Sequence, residues 1–571
     1  LFGAQFAAGQ DSARGAQELV QVIEGVANEP ITDEEFKRAQ TKWLKNWDQQ
    51  YSNPETIGLV LSETVAQGDW RLLFLLRDRV QALTRETVQR AVQGRFVASN
   101  RTLSTYVPTE KPVRAPTPEP LDVAAQMKEF KPKAAAAAVA AFDSSPANID
   151  AKTLRSTLPN GMKLALLPKP TRGETVRVSM AMRIGNERSL TGQREVSEFV
   201  AGMIDKGGAG LTRVQIQDRL DALKSELRIS SSGDEVRIDM LSRRETLPDA
   251  VALMAQLLRN PAFPPAALEE LKRQAAAEIE AQRDDPEAIA SNALARRGDP
   301  YPRGDVRHAR SFDERLQDSM AVSVERLKEF HARFYGANLA RFAAVGDFDP
   351  DALRRALSAG FGDWTAPEAI ARVPRPAFAA PAGREVVRTP DKQNATLGVL
   401  MHLQLSDNDA VHPALMLANY ILGGNTDSRL FKRIRERDGL SYHAYSALEW
   451  GDLDNHTVWY GGAIFAPANG ARVEQAFRDE LARALNDGFS EQEVAAAKSA
   501  LLNLRRLSRA QDERLAQTLQ RYLDLDRTFA FAQRVDTSLS RLAAGPVSQA
   551  LRAVIKPDQL AFVLAGDFKQ P

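Results

Sequence analysis

The chain predicts an α+β fold built from repeated units, each a mainly antiparallel sheet covered by helices on one face. A strand-like run, an amphipathic helix and a second helix with a definite start recur three times along the 571 residues. Each copy closes on an apolar strand, and the strand residues alternate in polarity as a half-buried sheet requires. The closing strands end roughly 220–240 residues apart, at Val107, Phe348 and Phe568, which sets the period.

The first copy opens on Leu1–Phe6 and its second helix on Thr32, 31 residues later. Another opens near Thr457, with Ser490 standing 33 residues on. Thr32-Asp33-Glu34-Glu35 and Ser490-Glu491-Gln492-Glu493 both fit a capping box, in which hydroxyl and carboxylate satisfy orphan backbone N–H groups reciprocally. The remaining copy runs from Gly233 through Val236, Ile238 and Met240 to Pro264, where proline opens the helix because the first turn needs no N–H there. The closing strands are Arg101–Val107, Leu339–Phe348 and Leu560–Phe568, the last two ending in matching Gly346-Asp347-Phe348 and Gly566-Asp567-Phe568.

Residues 109–150 break the pattern. Pro112, Pro116, Pro118, Pro120 and Pro132, an alanine run and Ser144-Ser145-Pro146 read as a linker that buries little of its length. The expected division is a truncated half-domain over 1–108, a hinge over 109–150, and complete domains over 151–368 and 380–571.

Composition narrows the function. Hydrophobic residues at 43% and charged residues at 26% describe a globular protein, and a net charge of +1 offers no excess cation for nucleic acid. No cysteine is present, which removes disulfides, thiolate metal sites and cysteine nucleophiles together. No apolar run reaches the roughly 18–20 residues that span a bilayer. There is neither a phosphate loop around Gly207-Gly208-Ala209-Gly210, which reads as a turn, nor a G-x-S-x-G elbow.

Between Gly185 and Gly208 the sequence resembles the segment that bears H-x-x-E-H in the pitrilysin/insulinase family of zinc metallopeptidases. The two histidine positions fall on Glu195 and Phe199, and the glutamate survives as Glu198. Two neutral imidazoles one helical turn apart bind Zn²⁺ on one face, and Glu195 and Phe199 cannot. The family's third ligand would fall near Glu278, where solvent exposure of Glu278 and Glu280 is the ordinary expectation. The six histidines (His308, His331, His402, His412, His443 and His456) include no pair three or four apart, so no helix offers a substitute site.

In the last domain, Gly423-Gly424-Asn425-Thr426-Asp427-Ser428-Arg429-Leu430-Phe431 leads to Arg435 and Tyr442, seven residues apart. This is similar to the family's arginine–tyrosine signature, whose members reach the substrate across a closed chamber. A guanidinium and a phenol donate hydrogen bonds to a peptide carbonyl and to the oxyanion that forms on it. Only the offset selects Arg435 over Arg433 and Arg437; solvated arginine and packed tyrosine are the competing reading. His443 is expected to face away from Tyr442, as neighbours on a strand do. Val176, Val178, Met180 and Met182 read as a packed strand, with peptide-binding edge strand as the alternative.

The resemblance implies a clamshell of two homologous halves that encloses an extended peptide, with this chain as the C-terminal portion. A missing N-terminal half would hold the zinc and activate the water, and no zinc would bind here. Taken alone the chain is expected not to hydrolyse peptides. The alternative is a non-catalytic structural or docking subunit. Family habit points to the periplasm, self-association is left open, and neither substrate preference nor the upstream motif is legible.

Overall fold

The computed structural model describes residues 2–4, 11–26, 29–105 and 142–568. They fall into two compact units, within 1–139 and 140–571. The first unit is helical where described, with helices Ser12–Gly25, Asp33–Ser52, Pro54–Ala66, Leu72–Gln81 and Arg85–Arg95. The Asp33–Ser52 helix starts at the expected capping box: Glu35 N–H donates to Thr32 Oγ1 at 3.2 Å and Thr32 N–H donates to the Glu35 carboxylate at 2.9 Å. Trp47, stacked 5.0 Å from Tyr51, donates through its indole N–H to the Leu73 carbonyl at 3.2 Å. The expected flanking strands do not form within the described residues. Residues 2–4 and 101–105 belong to no sheet, and the rest of Leu1–Phe6 and Arg101–Val107 lies outside them. A strand needs a partner for its backbone groups, and this unit has none among the described residues.

The second unit contains two large sheets and a two-stranded hairpin among its described residues. The first domain supplies β1 (Leu154–Thr157), β2 (Lys163–Pro168), β3 (Thr175–Arg183), a small hairpin of β4 (Gly207–Gly208) and β5 (Leu211–Thr212), β6 (Glu226–Ser231), β7 (Glu235–Arg243) and β8 (Arg341–Gly346). Apart from the hairpin they order β1-β2-β8-β3-β7-β6. The second domain supplies β9 (Gly383–Arg388), β10 (Ala395–Leu403), β11 (Ser441–Glu449), β12 (Thr457–Phe465) and β13 (Ala561–Gly566), ordered β11-β12-β10-β13-β9. Only the β2–β8 and β13–β9 pairs are parallel. The matching closing runs are β8 and β13, each interior to its sheet and buried along its whole length. Ser490 caps the Glu491–Ala510 helix as expected, and Pro264 precedes the Pro265–Arg283 helix. The Gly207–Gly210 turn is the tip of the β4–β5 hairpin.

Each sheet's own helices cover one face, and the other face is covered by a helix from the other domain. Leu515, Ala516 and Leu519 of the Asp512–Asp524 helix pack on Ala165, Leu167, Ala343 and Val345 of the first sheet. Reciprocally, Ala290 and Leu294 of the Pro286–Arg296 helix pack on Ala561, Val563 and Ala565 of the second. Covering both faces explains why β8 and β13 read as unbroken apolar runs. Charged pairs cross this seam: Asp524 accepts from Arg183 at 2.7 Å and lies 3.3 Å from Arg341, which also pairs with Glu235. Desolvation offsets much of the attraction in pairs this buried, while removing one partner strands the other's charge.

One expectation changes. Ser144-Ser145-Pro146 is a helix start rather than linker: Ser145 Oγ caps the Pro146–Lys152 helix, proline occupies its first turn, and Ile149 is fully buried. Most of the remaining 109–150 segment lies outside the described residues. The strand carrying Val176, Val178, Met180 and Met182 is packed, as expected, and the edge-strand alternative falls. β3 pairs with β8 and β7, all four side chains are buried, and the edges are β1 and β6. No helix among the described residues is long and apolar enough to cross a membrane.

Candidate functional site

Glu195, Glu198 and Phe199 lie on the Arg194–Met203 helix. Phe199, 4% exposed, belongs to the core with Val196, Val200 and Met203. Glu195 accepts hydrogen bonds from Arg310 Nη1 and Ser319 Oγ, both at 2.5 Å. Glu198 accepts from Arg194 at 3.1 Å and lies 3.5 Å from Arg310, whose third carboxylate neighbour is Asp318, also at 3.5 Å. The Arg310 side chain is 10% exposed. Burial alone would lower its pKa, but Glu195, Glu198 and Asp318 outweigh it and hold the guanidinium above its ordinary value. A cation of the protein's own thus sits against the helical turn where two imidazoles would converge.

These residues do not fit zinc. One ligand position is a packed phenyl ring and the other's carboxylate is engaged by Arg310. No group of three or more His, Asp or Glu placed to hold a metal occurs among the described residues. Glu278 and Glu280 are exposed; Glu278 accepts from Gln282 at 3.1 Å and Glu280 pairs with Arg283 at 3.3 Å.

The arginine–tyrosine pair is brought together. Helix His412–Gly423 ends where Gly423 meets β11, so closely that a Cβ would stand 2.2 Å from the Ser446 nitrogen. Asn419, buried in that helix, donates to the Ser446 carbonyl at 3.1 Å and accepts from Ser446 Oγ and Trp459 Nε1. These bonds hold β11 in place. Arg429 then grips Glu493 at 2.7 Å and the Gly488 carbonyl at 2.8 Å, tying the turn to the Ser490 cap. That guanidinium, with Ser490, holds Glu493 down at about 2. The chain continues as a π-helical turn over Lys432–Arg437. Such turns are rare and recur at functional sites.

Arg433 and Arg437 both pair with Asp438, at 2.8 and 3.0 Å. Arg435 has no carboxylate partner among the described residues; its guanidinium carbon stands 5.0 Å from the Tyr442 ring centroid and 5.6 Å from that of Phe431. Ser441 and His443 face consecutive residues of β12, Phe465 and Ile464, so Tyr442 is the extra residue of a bulge and is 81% exposed. The bulge also overturns the expectation for His443. Alternation is suspended there, His443 is exposed beside Tyr442, and its ring stacks 5.4 Å from Tyr445.

The comparisons decide the family. The model of the M16 inactive domain matches residues 321–501 and that of insulinase, peptidase family M16, matches residues 166–299. The chain belongs to the M16 peptidase family. Among M16 relatives, a protein of Mycobacterium leprae named an uncharacterized zinc protease is 26% identical over 358 residues, 61% of this chain and 77% of its own length. The non-peptidase homolog YmxG of Helicobacter pylori is 20% identical over 399 residues, 69% of this chain and 89% of its own. The fold is shared with the peptidase M16 inactive domain from Pseudomonas fluorescens, at a TM-score of 0.64 and 20% identity over 73% of this chain and 99% of that one. It is shared also with the periplasmic protease PqqL from Escherichia coli, at a TM-score of 0.61 and 14% identity over 97% of this chain and 63% of that one.

Sequence reasoning missed two features of this M16 chain. One is Arg310, 115 residues from the glutamate it neutralises. The other is a histidine pair: His402 on β10 and His456 beside β12 meet at 2.8 Å although 54 residues apart. Only the strand pairing of β10 with β12 joins them.

Proposed function

We propose that this chain is the metal-free, substrate-contacting part of an M16 zinc metalloendopeptidase that encloses extended peptides, with Arg435 and Tyr442 as its peptide contacts. The carrying observation is the contrast within one helical turn: Asp438 satisfies Arg433 and Arg437, while Arg435 stays unpaired against a tyrosine that a bulge turns outward. The guanidinium and the phenol would each donate to the carbonyl oxygen of a bound peptide. Those bonds strengthen as negative charge gathers on that oxygen, and in a water-excluded site each is worth about 3 kcal/mol of barrier.

Tyr442 is solvated in this chain, so exclusion of water requires closure against a further half that carries the metal. PqqL, of which this chain spans 63%, supports such a half, and the relatives named zinc proteases support the metal chemistry. PqqL's periplasmic description supports the same compartment here. In the assembled enzyme, Arg435→Ala and Tyr442→Phe should each lower kcat by roughly a hundredfold with the fold retained. Wild-type rates in both variants would refute the assignment.

A second reading has its own support: Arg310 closes the degenerate site, and one relative is named a non-peptidase homolog. On that reading the chain is a structural or docking subunit. Sequence upstream of Leu1 separates the two, since the enzyme reading requires H-x-x-E-H there and the subunit reading does not.

A further inference from the structure

A groove of about 480 Å³ runs alongside β11, starting at His443 and ending at Trp450. Residues of both parities line it, Tyr445 with Ser446 and Ala447 with Leu448, so it lies beside the strand rather than over one face of the sheet. Among the described residues no Asp, Glu, Lys or Arg contributes to its lining, in a chain where such residues make up 26%. A separate recess of about 620 Å³, on the Arg429–Arg437 turn, is lined among the described residues by charged residues alone.

We infer that the groove beside β11 is a side-chain subsite taking a neutral aromatic or large aliphatic residue of a peptide engaged by Arg435 and Tyr442. This rests on reading that pair as peptide contacts. The two are physically continuous: Arg435 lies over Phe431, His443 stands edge-on to the same ring at 6.1 Å and stacks on Tyr445, and Tyr445 opens into the groove. The backbone route is closed at its centre. Ser446 gives its carbonyl to Asn419, and Gly423 packs against its nitrogen, so an added strand cannot ladder through this position. What remains to be read is the ligand's side chain. Burial raises the Tyr420 and Tyr445 phenols, both on the lining, and the Asp427 and Glu287 carboxylates add to the rise. A glutamate side chain would lose water there and be repelled by those two carboxylates, and a lysine would lose water with no carboxylate in the lining to receive it, whereas a phenyl or isobutyl group loses only unfavourable apolar hydration.

The test uses fluorescence anisotropy of labelled peptides on the whole 571-residue chain. Peptides carry Phe or Lys in turn at each position of a Gly/Ala background. At one position the Phe peptide should bind at least about tenfold tighter than its Lys counterpart. Leu448→Glu should bring that ratio to within about twofold with an unchanged melting temperature; Tyr445→Ala should lower the ratio likewise and serves if Leu448→Glu unfolds. Arg435→Ala should weaken both peptides equally and preserve the ratio. A ratio that survives both groove substitutions, or equal binding of Phe and Lys peptides at every position, overturns the subsite and leaves the pair standing. A preserved ratio with unweakened binding in Arg435→Ala overturns the pair and leaves the subsite. Absence of peptide binding by the wild-type chain overturns both.

Discussion

Replacing Arg310 by methionine should destabilise the second unit severely. The arginine side chain is 10% exposed and Glu195 is 12% exposed. Glu198 keeps Arg194 and Asp318 keeps Arg303 when the guanidinium is removed. Glu195 keeps only the Ser319 hydroxyl, a single neutral donor for a buried carboxylate. Leaving one member of a buried pair uncompensated costs about 3–5 kcal/mol, so a urea unfolding midpoint should fall by 1 M or more at typical slopes of about 1–3 kcal/mol/M. Replacing both partners, Glu195→Leu with Arg310→Met, removes the stranded charge and should recover most of the loss. The reasoning fails if Arg310→Met shifts the midpoint by less than about 0.3 M, equivalent to under 1 kcal/mol, or if the double variant is no more stable than the single.

Further outcomes follow from neighbouring features. Burial pulls His412 and, with His456 adding to it, His402 down to about 4 from an ordinary value of 6.5. The unfolded chain therefore takes up protons that the folded chain refuses. Their contribution is complete above pH 6.5 and is lost as pH falls towards 4, by about 2 kcal/mol for the buried His412 and less for the part-exposed His402. Urea midpoints should be lower at pH 5 than at pH 7.5, and His412→Phe should flatten the difference; equal midpoints would contradict this. Gly423→Ala forces a methyl within 2.2 Å of the Ser446 nitrogen and 2.4 Å of its hydroxyl, so β11 must move, at about 1–3 kcal/mol. Peptide binding should weaken with it, and an undiminished affinity would show that β11's placement is irrelevant to the ligand. Restoring Glu195→His and Phe199→His should not restore zinc while Arg310 holds its place, whereas adding Arg310→Ala should permit uptake measurable by metal analysis. Stoichiometric zinc in the double variant would contradict that.

What was legible in the sequence was local. The capping boxes at Thr32 and Ser490 need only four consecutive residues, and the β8 and β13 runs only their own apolar composition. The buried strand of Val176 to Met182 follows from the same logic. What was not legible depends on pairing across the chain. An amphipathic helix such as Asp512–Asp524 does not announce which sheet it will cover, and here it covers the other domain's. The bulge that turns Tyr442 and His443 outward together depends on how β11 meets β12. Arg310 and the His402–His456 contact likewise join residues that no local window contains.

The most direct test is metal and activity analysis of the purified chain. Binding of an extended peptide that is weakened in Arg435→Ala, with no stoichiometric zinc and no hydrolysis, is the expected result. One zinc per chain together with peptide cleavage abolished by a chelator would contradict it.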